Sequence, residues 1–349
     1  MDTATAVASG YCAVAPGSPP RKREGLHASV PVKARKRLVT KCDIDGMTSG
    51  LLLKELDLVD GVLFCQARDI ETAAVRITEN DITAGLPCRE SACLAFDHYR
   101  NTGAAGGHVV VDTAMLSTSR VIYNHFGAQR LRRIPGELLQ VVDKVISAEV
   151  TLDDILYPSG WMLLAQLIDQ RTGLDRYARF TMSNAGLIEA LMEWCRDATV
   201  WELLSLPPVE ERNACYFGCV EAYKAQLLRC ASVHKNLVVV DLRREATIYP
   251  GNRFMLYALF PECNVSLQIM RHHAGAGTCF VAGKSFLDRS LDLDIGSIMK
   301  RHGGDGHRNA GACEVAREQA DAVADSLIRS LRYGALKNLL MGYYNYYYP

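Results

Sequence analysis

Residues Leu38 to Cys65 read LVTKCDIDGMTSGLLLKELDLVDGVLFC, and this stretch decides the fold class. Leu38 to Cys42 is a short apolar run. A turn follows at Asp45-Gly46, and Thr48 to Leu58 places its leucines at helical spacing, with Thr48 or Ser49 able to cap the helix. Val62 to Cys65 then reads as a second buried strand. Further on, Cys93 to Phe96 ends at Asp97 and Val109 to Val111 ends at Asp112, two more apolar runs each closed by a carboxylate. Strands alternating with helices predict an α/β fold with a doubly wound, mostly parallel sheet.

Working outward, residues Pro135 to about Val233 are mostly helical in pattern, through GELLQVVDKV, GWMLLAQLID, AGLIEALMEWC and an amphipathic stretch from Val209 to His234. The character changes at Leu237 to Asp241 (LVVVD). Strand-like runs follow at Phe254 to Phe260, Val265 to Met270 and Thr278 to Ala282, then a glycine-rich turn over Gly303 to Gly311 and a closing helix over Val315 to Leu331. The expected division is a flexible basic tail over 1–37, a first α/β domain over 38–200 and a helical connector over 201–234. A smaller C-terminal α/β domain over 235–333 and a Tyr-rich tail over 334–349 complete it.

A chain of 349 residues suits two domains at roughly 100 to 200 residues each. Its 49% hydrophobic and 22% charged residues exclude a collagen, a coiled coil or a wholly disordered chain. The 39 cations and 39 anions balance, so net charge gives no argument for nucleic acid. The balance hides an asymmetry: residues 1–37 hold seven cations against two anions, leaving the remainder mildly acidic. No stretch approaches the roughly 18 apolar residues of a membrane span, and no apolar leader follows a basic start, so the chain reads as cytoplasmic with no membrane partner. Twelve Cys without a single CxxC read as reduced core thiols. The Tyr-rich end leaves a homodimer open.

Three places carry chemistry. Asp43-Ile44-Asp45-Gly46 sits between an apolar strand and a helix, at the strand end where α/β sheets place their sites, and Asp-x-Asp can offer oxygens to hard divalent cations. Alone, such a stretch is more often a solvated turn. Asp97-His98 closes another apolar run, with the carboxylate able to orient an imidazole suited to Mn²⁺, Fe²⁺ or Zn²⁺. Asp81, just before that strand, and Asp143, interrupting an apolar helix face, are two further carboxylates for the same cluster. The third place is His302 to Gly311, where glycine amides can line an anion and His307, Arg308 and Asn309 can donate to phosphate oxygens. Arg253 in YPGNRF adds positive charge or is a surface residue. Gly283-Lys284-Ser285 lacks the leading glycine of a P-loop, and no GxSxG exists for a serine nucleophile.

Taken in order, DIDG, NDI, FDHY, VDK and the C-terminal GGDGH-RNAG resemble the DHH phosphoesterase family, nearest its exopolyphosphatase-like branch. YPSGW, DQRTG, LVVVDLR and YPGNRF add to the likeness, which spans most of residues 38–331. The resemblance implies a metal-dependent hydrolase of phosphoester or phosphoanhydride bonds that uses a metal-activated water between its two domains. The ligands would be Asp43, Asp45, Asp81, His98 and Asp143, and the cofactor two Mn²⁺ ions, with Mg²⁺ as an alternative. Catalytic roles fall on Asp43, Asp45, Asp97 and His98, and substrate contacts on Tyr99, Gly303, Gly304, Gly306, His307 and Arg308. The substrate would be polyphosphate or a short nucleotide, such as an oligoribonucleotide or a 3′-phosphorylated nucleotide. A binding protein with weakened catalysis is the other expectation, because four positions depart from the pattern. Lys41 stands where relatives carry His, Tyr99 replaces the second His of the triplet, Asp305 replaces a loop glycine, and Ile146 stands for an Asp.

Overall fold

In a computed structural model, residues 35–99, 108–272 and 277–332 are described. The basic tail up to residue 34 and the Tyr-rich end lie outside these residues. Strand β1 (Lys36–Thr40) begins two residues before Leu38, and its Leu38, Val39 and Thr40 are buried on both faces, as a central parallel strand requires. Helix α1 (Ile44–Glu55) starts four residues earlier than its leucine spacing indicated. The reason is local: Asp43 is the N-cap, its carboxylate accepting the Gly46 N–H at 3.0 Å. Gly46 is required there, because a Cβ would lie 2.0 Å from the Lys41 carbonyl oxygen. Asp-Ile-Asp-Gly is thus the first turn of a helix rather than a separate loop.

Strands β2 (Val59–Phe64), β3 (Asp81–Ala84), β4 (Leu94–Asp97) and β5 (Val109–Val111) join β1 in an all-parallel sheet ordered β2-β1-β3-β4-β5, with α2 (Ala67–Glu71) between β2 and β3. Helices α3 (Thr118–Phe126), α4 (Gly136–Ser147), α5 (Leu152–Leu156), α6 (Gly160–Ile168), α7 (Leu174–Tyr177), α8 (Asn184–Trp194) and α9 (Val200–Leu204) follow. Among them α1 is buried nearly all round, with Met47, Leu51, Leu52 and Leu53 fully covered in a core shared with Phe96, Ile122, Leu138 and Leu191. Truncating one such leucine to Ala costs about 2–5 kcal/mol.

Helix α10 (Pro207–Cys230) leads into a second sheet of β6 (Ala231–His234), β7 (Leu237–Asp241), β8 (Val265–Arg271), β9 (Gly277–Lys284), β10 (Asp305–His307) and β11 (Ala310–Ala316). Its order is β10-β11-β9-β8-β7-β6, parallel only between β7 and β8. Helix α11 (Met255–Leu259) corrects the strand reading of residues 254–260. An unbroken apolar run has no period to separate the two, and Asn252 settles it by accepting the Phe254 and Met255 N–H groups at 2.9 Å. The glycine-rich turn holds α12 (Ile295–Lys300) against the β10–β11 hairpin, and Val315 belongs to β11, so the closing helix begins at residue 320. All described residues belong to one compact unit, and none of their helices is long and apolar enough to cross a membrane.

Candidate active site

The carboxyl ends of β1, β3 and β4 meet the amino end of α3. Asp45 is buried, and its two oxygens accept the N–H groups of Thr118 (3.1 Å) and Ser119 (2.8 Å), a charge placed on the positive end of a helix. Thr118 also turns its hydroxyl to His98 Nδ1 at 2.8 Å. Gly85, just past β3, lies close beneath, since a Cβ there would be 3.2 Å from the Thr118 hydroxyl. At the end of β4, Asp97 Oδ1 accepts the N–H groups of His98 (2.8 Å) and Tyr99 (3.1 Å) and so shapes the turn that presents both rings. Burial pushes the carboxyl groups of Asp43 and Asp97 above their ordinary range and holds His98 below its own, so His98 is neutral at pH 7.

Positive charge faces this cluster. Lys41 is half-buried, its charge acts on Asp43, Asp97, His98 and His307, and its ammonium makes no hydrogen bond among the described residues. Arg171 is held by Asp169 through contacts of 2.7–2.9 Å and acts on Asp43 and Tyr99. Arg253 lies beside Arg171, and burial together with that second guanidinium pulls it down to about 10. From the second sheet, His307 stacks on Tyr99 with ring centroids 5.9 Å apart and planes 26° apart. Its Nδ1 accepts the Asn309 N–H at 3.3 Å, which leaves Nε2 as the donor. Asp43, Asp45, Asp97, His98, Tyr99 and His307 therefore come together.

Other expected residues do not join them. Asp81 opens β3, at the amino end of a strand whose carboxyl end faces the cluster, and its oxygens accept from Arg37 (2.7 and 3.1 Å) and Thr78 (2.8 and 3.0 Å). Asp143 reaches the first turn of α3, where Ser117 (2.6 Å) and Arg120 (2.7 and 2.9 Å) occupy it. The amides of Gly303 and Gly304 bond the carbonyls of Lys300 and Met299 at 3.1 Å, closing α12 instead of lining an anion. Gly306 backs onto α12, where a Cβ on Gly296 would lie 2.6 Å from its carbonyl. Arg308 pairs with Asp292, Asp305 turns toward Lys300 at 3.8 Å, and Ile146 packs against the core.

The five-ligand metal set is thus not assembled, and among the described residues no three His, Cys, Asp or Glu side chains are gathered around one ion. The donor chemistry that remains fits a single cation. His98 Nε2 is buried without a partner, and Asp43 Oδ2 makes no hydrogen bond beside it among the described residues. Sequence reasoning passes over Asp169, Arg171 and Asn252, although DQRTG stands out as a segment.

No family model and no curated protein matches the chain. Among solved structures, it is similar to the pGpG-specific phosphodiesterase PggH from Vibrio cholerae, at 39% identity and a TM-score of 0.72, over 86% of this chain and 100% of that one. RecJ from Thermus thermophilus, in complex with Mn²⁺, is 14% identical at a TM-score of 0.49, over 86% of this chain and 52% of that one. A DHH domain from the S1p family of ribosomal proteins is 13% identical at a TM-score of 0.41, over 85% of this chain and 87% of that one.

Proposed function

The chain belongs to the DHH family of phosphoesterases, and we propose that it hydrolyses the phosphodiester bond of a short linear nucleotide. The observation that carries this reading is Tyr99. Its ring is 47% exposed beside His98 and stacked on His307, where a base can lie on it next to the carboxylates. Polyphosphate, the substrate toward which the motif order leans, has no base to stack. The likeness to a dinucleotide phosphodiesterase over nearly the whole chain supports the same choice.

A divalent cation, Mn²⁺ or Mg²⁺, would be held by Asp43 and His98, and when bound it would activate a water and draw charge off the phosphoryl oxygens. The rest is done by side chains. Thr118 orients His98 so that a ring donating through Nδ1 turns its Nε2 lone pair inward. Lys41 offers its ammonium to the negative charge that grows on phosphorus, and His307 donates from Nε2 to a phosphoryl or leaving oxygen. Arg171, fixed by Asp169, balances Asp43 from the other side. A water oxygen adds to phosphorus, the ester oxygen leaves and takes a proton, and no covalent enzyme intermediate is required.

The test is a substrate panel of pGpG, a 3′-phosphorylated nucleotide and polyphosphate, each with Mn²⁺, Mg²⁺ or chelator. The expected result is cation-dependent cleavage of the dinucleotide well above the others. Tyr99→Ala should raise KM for the dinucleotide roughly 5- to 100-fold, the worth of one stacked base. Faster turnover of polyphosphate, with Tyr99→Ala indistinguishable from wild type, would overturn the reading.

A further inference from the structure

Helix α10 carries an apolar face that no described residue covers. One side of it, with Val209, Tyr216, Tyr223 and Leu227, is buried in the core. At 3.6 residues per turn, the opposite side is a strip about 100° wide that holds Ala214, Phe217, Gly218, Glu221, Ala225 and Leu228, all exposed. Phe217 is 46% and Leu228 54% exposed. The solvent face of a helix is ordinarily polar and charged. Here Glu221 is the one charged residue of the six, and Lys224 of the same helix answers it at 2.9 Å.

Gly218 supplies an independent observation. Glycine is less stable than alanine inside a helix, and its use there is to let a backbone come close to another element. Among the described residues nothing asks for that space, since a Cβ built on Gly218 meets no atom within 4 Å. The neighbour that would use it comes from outside the described fold.

We propose that this strip is a dimer contact, on which a second copy of the chain lays its own α10 antiparallel, about a two-fold axis between Phe217 and Gly218. An isologous contact must be self-complementary, and the strip is so about this point. The two Phe217 rings meet on one side of the axis and the two Gly218 backbones on the other, which lets the helices approach to about 8 Å. Glu221 falls opposite the partner's Ala214 and Glu210 opposite the partner's Ala225, so no like charges face each other. A helix of 24 residues is about 36 Å long, and two strips about 10 Å wide cover roughly 700 Å² together, less than the roughly 1,200 Å² of a standard interface. The dimer is therefore reversible. No residue of the contact belongs to the candidate active site, so the inference stands apart from the phosphodiesterase reading.

Sedimentation equilibrium of the full chain tests it, with wild type, Phe217→Glu, Leu228→Glu, Gly218→Gln and, as a control off the strip, Trp201→Ser. Wild type and Trp201→Ser should pass from monomer to dimer over roughly 1–100 μM. Phe217→Glu and Leu228→Glu, shown to be folded by circular dichroism, should stay monomeric at the upper end of that range. Gly218→Gln should weaken association at least tenfold, while the melting temperature of the dilute monomer rises by about 2 °C, because glutamine is the better helix former. A wild type that is monomeric throughout would overturn the proposal. So would a dimer that survives both Glu substitutions, which places the contact on another surface. A lower melting temperature in Gly218→Gln would show that the glycine serves the fold itself, and would also reject the contact.

Discussion

Asp45 anchors α3 with both carboxylate oxygens, so its substitution acts on folding as well as on chemistry. In Asp45→Asn one oxygen becomes an NH₂ that must face the Thr118 or Ser119 N–H, donor against donor. We expect a stability loss of about 1–3 kcal/mol in urea denaturation together with a fall in kcat. Unchanged stability would show that the carboxylate does not hold the helix. At this scale Asp43, Asp45, His98 and Tyr99 were legible because each follows an apolar run, where strand polarity alone puts it at the site. Arg171 and Asn252 were not, and Arg253 was legible only as a charge that could equally be a surface residue. Their positions depend on the 169–173 turn docking on the 249–253 turn, a contact between residues 79 apart at Gly251 and Thr172 that leaves no local pattern.

Among the elements, β3 shows how polarity separates two similar signals. Asp81 and Asp97 both border short apolar runs, but Asp81 opens its strand and Asp97 closes one, so only Asp97 reaches the cluster. Burial alone would push the Asp81 carboxyl up. The Arg37 side chain and the Thr78 N–H and hydroxyl outweigh burial and hold it below the ordinary range. A depressed folded-state value means that the stabilisation is complete above about pH 4 and is lost as pH falls through the lower, folded value. Asp81→Asn should therefore cost about 1–3 kcal/mol at pH 7, with the gap to wild type closing in acid. A gap that persists at pH 2, or cation dependence of turnover altered in this variant, would contradict a purely structural Asp81. The helix register of α1 was only half legible: leucine spacing marks its middle, while its start is set by an Asp43 cap that the eye reads as a loop residue.

Across the whole molecule, the α/β class and the parallel first sheet were legible from apolar runs alternating with helices, whereas β3, β6 and β10 were not, because β3 and β10 are only four and three residues long and β6 continues the amphipathic pattern of α10. The glycine loop was read for its amides, yet its glycines chiefly let α12 approach the β10–β11 hairpin, and His307 is the residue this packing delivers to Tyr99. A reaction centre shared by both halves of the chain is the central claim. The most direct measurement is kcat/KM for pGpG with His307→Ala, at equal bound cation. Loss of one donor to a developing oxyanion predicts a fall of about 10²- to 10³-fold with cation content unchanged. Wild-type kcat/KM in this variant, or loss of the bound cation, would contradict it.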